Sequence, residues 1–224
     1  MNFFGHAVIA RWHSASPKLH FGAMLPDFAS MIGAAPPHVH SVEVARGVRI
    51  HHSTDEVFHR TPTFRRLSRA ATRHLERRGL RRGSSLAVGH VGTELLVDCA
   101  LGQDHAACDD YLAAVRVAAP DRWRDDLEWA ASDEQLRFQR LLEVLLERGL
   151  GVTNAAPERL AQRLDRVLAS RPRLALQTSD ILVVEAWARG ALGVVAGAIP
   201  ALLGELRAGL ERVVRATPGE EAVQ

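Results

Sequence analysis

Residues 131–149 read ASDEQLRFQRLLEVLLERG, and this stretch decides the fold class. Ser132 suits a helix N-cap, and Gln135 three residues later completes a capping box. Arg148 and Gly149 are stop signals: a cation favours the negative end of the helix dipole, and glycine accepts the turn that closes a helix. Between these ends apolar residues recur at three and four rather than at two. The spacing predicts a helix over 133–149.

The same grammar runs outward in both directions. Alanine, leucine, arginine and glutamate dominate, and there is a single tyrosine. Helices are predicted over 2–13, 19–31, 39–59, 62–78, 84–101, 105–118, 121–130, 156–170 and 178–189, with one or two more in 191–216. GAAPPH (33–38) reads as a turn and RRGLRRGSS (77–85) as a loop. There is no internal repeat. The expectation is an all-α, single-domain helical bundle over 1–216, followed by a frayed tail at 217–224.

Composition sets the outer limits. The chain has 224 residues, enough for one large domain or two small ones. Hydrophobic residues make up 47% and charged residues 24%, with a net charge of +2, so the overall balance does not announce a polyanion partner. Cys99 and Cys108 match no zinc or redox spacing, which points to a reducing cytoplasm. The start, MNFFGHAVIARWH, lacks the basic region and cleavage site of a signal peptide. ALGVVAGAIPALLGEL (191–206) is short for a span and contains Pro200, so a buried or docking helix is expected and stable membrane insertion is not.

All eleven histidines lie at or before His105, which places any chemistry in 1–105 and a scaffold or cover in 106–216. IHHSTDEVFHR (50–60) puts His51 and Asp55 four apart, on one helix face, with roughly 5–6 Å between Cβ atoms. His59 continues that face. GHVGTELLVDCAL (89–101) carries His90, Glu94 and Asp98 at spacings of four in an otherwise apolar run. Burying three such groups is costly unless they pair or bind a cation. Gly89 and Gly92 mark close approach of a backbone or a ligand. His6 sits in the apolar run FFGHAVIA, and Asp27 follows Pro26 in FGAMLPDFASM. The plainer readings are a solvated face for the His/Asp pair, a satisfied core histidine for His6 and an N-cap for Asp27.

Four motifs in fixed order, MNFFGHAVIA, GAMLPDF, GVRIHHSTDEVFHRTP and GHVGTELLVDCAL, resemble the acyl carrier protein phosphodiesterase family. That family is similar to a divergent branch of the HD-type metal phosphohydrolases. The resemblance covers roughly the first hundred residues. It implies an HD-like helical fold with a metal held inside, manganese first, with iron, magnesium or zinc as alternatives. It implies release of 4′-phosphopantetheine from the serine of holo-acyl carrier protein. His6, Asp27, His51 and Asp55 match its motif positions. His59 stands where the family carries aspartate. His90 aligns with an acid and Glu94 with an aspartate, and Leu95 stands where a histidine would follow. One site built from His6, Asp27, His51 and Asp55, completed by His90 or Glu94, is therefore expected.

Roles follow from chemistry. A mixed histidine and carboxylate set suits manganese or iron, which polarises a phosphoryl oxygen and activates a water. Glu94 or Asp98 would orient or deprotonate that water. Arg46 or Arg49 would clamp phosphate oxygens. Residues 60–82 hold nine arginines and one acid, Glu76. Arg65, Arg69, Arg73 and Arg77 fall on one helical stripe, with Arg66 beside it and Arg81 and Arg82 beyond. Such a stripe would steer a small acidic carrier protein, with Arg69 and Arg73 central. It lacks the interleaved aromatics that stack nucleic acid bases. The alternatives are an HD-like hydrolase of another phosphoester, such as a nucleotide or phospholipid head group, and a non-catalytic helical binding protein. The sequence leaves the oligomeric state open.

Overall fold

The computed structural model describes residues 1–119, 122–149, 151 and 156–216. The deciding stretch forms a helix over Ser132–Arg148. It starts one residue early. Ala131 is the N-cap residue, and its N–H donates to Glu134 Oε2 at 3.2 Å, so Glu134 reaches back and not Gln135. Gly149 ends the helix with φ 53°, a backbone conformation that only glycine adopts without strain. Phe138, Leu142 and Leu145 form its buried stripe.

The fold is all-α, as the periodicity predicts. In chain order the elements are α1 (Phe3–Ala10), α2 (Pro17–Met31), β1 (His38–Val39), α3 (Val42–Phe58), α4 (Pro62–Arg77), α5 (Arg82–Leu101), α6 (His105–Ala118), a 3-10 turn (Arg122–Asp125), β2 (Leu127–Glu128), α7 (Ser132–Arg148), α8 (Pro157–Ala169) and α9 (Thr178–Ala216).

Two predicted segments differ. In place of a helix at 121–130, the 3-10 turn leads into β2, which pairs antiparallel with β1, His38 opposite Glu128 and Val39 opposite Leu127. Residue 121 lies outside the described residues. The reason is local: Leu127 and Trp129 are buried while Glu128 is exposed, an alternation of two that a helix cannot serve. The expected break near residue 190 is also absent, because α9 is one helix of 39 residues that passes through Pro200. Val184, Trp187, Ala188, Val195, Leu202, Leu206 and Leu210 are buried along one side of it. That packing outweighs the roughly 1 kcal/mol that each interior glycine costs. Pro200 is exposed, where water can satisfy the carbonyl its missing N–H leaves behind. α9 is thus longer than expected: Thr178–Val213 is long and apolar enough to cross a membrane by length and composition, with 22% of its most apolar window buried. The tail expected at 217–224 lies outside the described residues.

The chain folds as two compact units, Met1–His52 with Val97–Asn154 and Ser53–Leu96 with Ala155–Gln224. Each draws on both halves of the chain, so neither follows a division at residue 105. In the first unit α1 packs on α2 and α6, and Phe3, Phe4, Phe21, Phe28, Tyr111 and Phe138 fill the core. In the second unit α4 and α8 pack on α9. Glu205 of α9 accepts from the Thr63 N–H at 2.9 Å and from its hydroxyl at 2.8 Å. A carboxylate there complements the positive end of α4.

Candidate metal centre

Two glycines bring the first set of ligand-type groups together. A Cβ on Gly22 of α2 would overlap the Val44 carbonyl oxygen, and one on Gly47 of α3 would overlap that of Leu19. The helices therefore cross backbone to backbone, an approach that glycine alone allows. One turn past Gly47, His51 lies against α2, with its Nδ1 2.9 Å from the Ala23 carbonyl oxygen. A carbonyl only accepts, so Nδ1–H donates. The neutral ring then carries its lone pair on Nε2, the arrangement that orients a metal-binding histidine.

α1 supplies a second imidazole. All eight of its residues are buried, and His6 is 0% exposed. The rings of His6 and His51 stack, with centroids 3.8 Å apart. Asp27, one turn beyond Ala23 in α2, is partly buried. α2 runs through Pro26 to Met31, so Asp27 is inside the helix and is not an N-cap. His6, Asp27 and His51 each offer a ligand atom within 4.8 Å of the other two. Two imidazoles and a carboxylate from three helices fit a divalent transition ion by donor type.

Asp98 has a structural partner of its own in this unit. Asp98 is 0% exposed, and its Oδ1 accepts from the Gly5 N–H at 3.1 Å. Asn2, the N-cap residue of α1, makes no side-chain cap bond, so Asp98 caps α1 from α5. The residue expected as a water-orienting base thus holds the helix that carries His6. Asp55 is partly buried, one turn after His51 on α3.

His90 and Glu94, the residues expected to complete a metal site, meet His59 in a set whose ligand atoms also lie within 4.8 Å of one another. Glu94 Oε1 is 2.8 Å from His59 Nε2 and 3.2 Å from His90 Nε2. Burial disfavours the charged carboxylate, but the hydrogen bonds from the two histidines outweigh it and hold Glu94 well below the usual carboxylate range. The His59 and His90 rings stack at 5.0 Å, and Phe64 meets each of them edge-on. Gly89 explains the close packing of α5 on α4, since a Cβ there would overlap the Thr72 hydroxyl and lie 3.0 Å from the Ser68 carbonyl oxygen. Gly92 gives way to the Trp187 ring.

His59 is not among the residues the sequence singles out as ligands; it follows α3, in the turn after Phe58. The available signal was its place four residues after Asp55, on the face that His51 begins. His20 is a core histidine satisfied at 2.7 Å by the Ser14 carbonyl oxygen. Arg46 and Arg49 are exposed on α3, and Arg65, Arg66, Arg69, Arg73 and Arg77 are exposed on α4. Among the described residues, no ligand-type set includes a residue beyond 105. No protein-family model, curated protein or solved structure matches the chain.

Proposed function

We propose that the chain is a metal-dependent phosphodiesterase whose ion is held by His6, Asp27 and His51. The observation that carries the reading is the convergence of these three groups, from three helices, in a buried place. Convergence of this kind is costly for a structure that gains nothing from it. When bound, a manganese-type ion supplies Lewis acidity toward a phosphoryl oxygen and a more acidic water.

The chain's own residues do the rest. His51 is held by the Ala23 carbonyl through Nδ1, so its ring orientation is set by the backbone of α2. Asp27 brings one negative charge and the neutral imidazoles none, which leaves a divalent ion net positive toward a phosphate. Two imidazoles favour manganese, iron or zinc over magnesium. Arg46 and Arg49 would bind non-bridging oxygens. The resemblance of the first hundred residues makes holo-acyl carrier protein the proposed substrate, and the exposed arginines of α4 suit an acidic partner of that kind.

The test is a phosphodiesterase assay of the purified protein with and without manganese, on a small chromogenic diester and on holo-acyl carrier protein. Manganese-dependent hydrolysis of both, lost in Asp27→Ala with His51→Ala while helical circular dichroism persists, is the expected result. Hydrolysis of the small diester alone would keep the chemistry and remove the carrier protein. A wild-type chain that binds no ion would favour a non-catalytic binding protein.

A further inference from the structure

We propose that His59, His90 and Glu94 form a second divalent-metal site, of the zinc class, reached directly from solvent. Three observations point there. The donor set is two imidazoles and one carboxylate, a combination that zinc and its transition-metal neighbours accept and calcium and magnesium do not prefer. The spacing is close to that of a bound state. Metal–ligand lengths of about 2.0–2.1 Å at tetrahedral angles put ligand atoms about 3.3 Å apart. The two separations from Glu94 Oε1, 2.8 and 3.2 Å, need open only slightly. The groups are also pre-aimed. His90 and Glu94 are one turn apart on α5, His59 is fixed by the turn after α3, and buried Phe64 backs both rings.

Exposure gives this site its character. The side chains are 34% exposed for His59, 47% for His90 and 14% for Glu94. Three protein ligands leave a tetrahedral ion one position for water or an anionic oxygen, and the exposed His90 edge keeps that position open. The competing account is a metal-free triad in which both histidines donate to one carboxylate oxygen. Both accounts fit the distances, so ion binding itself decides between them.

The experiment measures zinc per chain by elemental analysis after chelation, reloading at neutral pH and desalting. It uses wild type, His90→Ala, the double variant Asp27→Ala with His51→Ala, and His40→Ala as a control for the exposed His38–His40 pair, whose rings lie 4.8 Å apart. Two equivalents in wild type, falling to one in His90→Ala and to one in the double variant, are expected. His90 is half exposed, so its truncation leaves the fold intact, which circular dichroism checks. Cobalt in place of zinc should give a tetrahedral visible band in the double variant that Glu94→Gln removes. Equal zinc in wild type and His90→Ala overturns the site, as does an equivalent lost only in His40→Ala. One equivalent in wild type that vanishes in His90→Ala supports this site and removes the buried one.

Discussion

The two sets of ligand-type residues are built on opposite principles. His6, Asp27 and His51 come from three helices and are held by backbone: a glycine crossing, the Ala23 carbonyl, and Asp98 capping α1. His59, His90 and Glu94 hold one another, through two contacts to a single carboxylate oxygen and a ring stack. The first set is tied to the fold, so a perturbation of packing should disturb it. The second is a side-chain assembly at a surface, so its members should be removable with little cost to the fold.

The largest effect is expected from Gly22→Ala. Alanine in a helix interior usually stabilises by about 1 kcal/mol over glycine. Here its Cβ would overlap the Val44 backbone, which cannot rotate away. Destabilisation of about 2 kcal/mol or more is expected in chemical denaturation. The buried metal equivalent should be lost and the His90-dependent one kept. A stabilised variant with both equivalents would show that the α2–α3 crossing does not position His51.

Next comes Asp98→Ala, which strips the Gly5 N–H of its cap and should cost about 1–3 kcal/mol. Asp98→Asn keeps an acceptor and should recover most of that. If Asp98 acts chiefly as a base, Asp98→Asn would instead keep full stability and full metal content while losing hydrolysis.

A smaller effect is expected at Glu94. Its folded-state carboxyl is held below the ordinary value of 4.5, so its contribution is present above that value and is lost as pH falls through the depressed one. In metal-free protein the stability gap between wild type and Glu94→Gln should therefore be widest near neutral pH, at about 1 kcal/mol. It should narrow below pH 4.5. A gap that widens on acidification would mean that the histidines, and not the carboxylate, carry the interaction.

These features were legible in the sequence to different degrees, for physical reasons. Helices with strong three-four spacing, such as α4 and α7, were legible to within a residue or two. His6 and Asp27 stood out because each is a lone polar group in an apolar run. The pairing of β1 with β2 was not legible, since two strands of two residues and 88 positions of separation leave no local pattern. The continuity of α9 was hidden by Gly190, Gly193 and Pro200, local breakers that its buried side overrides. The meeting of His59 with His90 and Glu94 was hidden for a related reason: spacing of four says which residues share a helix face, but not which element that face meets.

The smallest effect on the fold is expected from Arg69→Glu with Arg73→Glu, and it separates surface from site. Both side chains are exposed on α4, while Leu67, Ala71 and Leu75 face the core. Charge reversal should leave thermal stability and metal content near wild type. Exposed charges within a Debye length of a docked partner, about 8 Å at physiological ionic strength, act on it strongly and are screened by salt. Binding of holo-acyl carrier protein should therefore weaken steeply with added salt in wild type. In the double variant it should be weak at low salt and nearly insensitive to more, while hydrolysis of a small diester is unchanged. Metal loss in the variant would mean that α4 supports a ligand set directly. Unchanged carrier-protein binding would leave the arginines a solvated face and take away the charge argument for that partner.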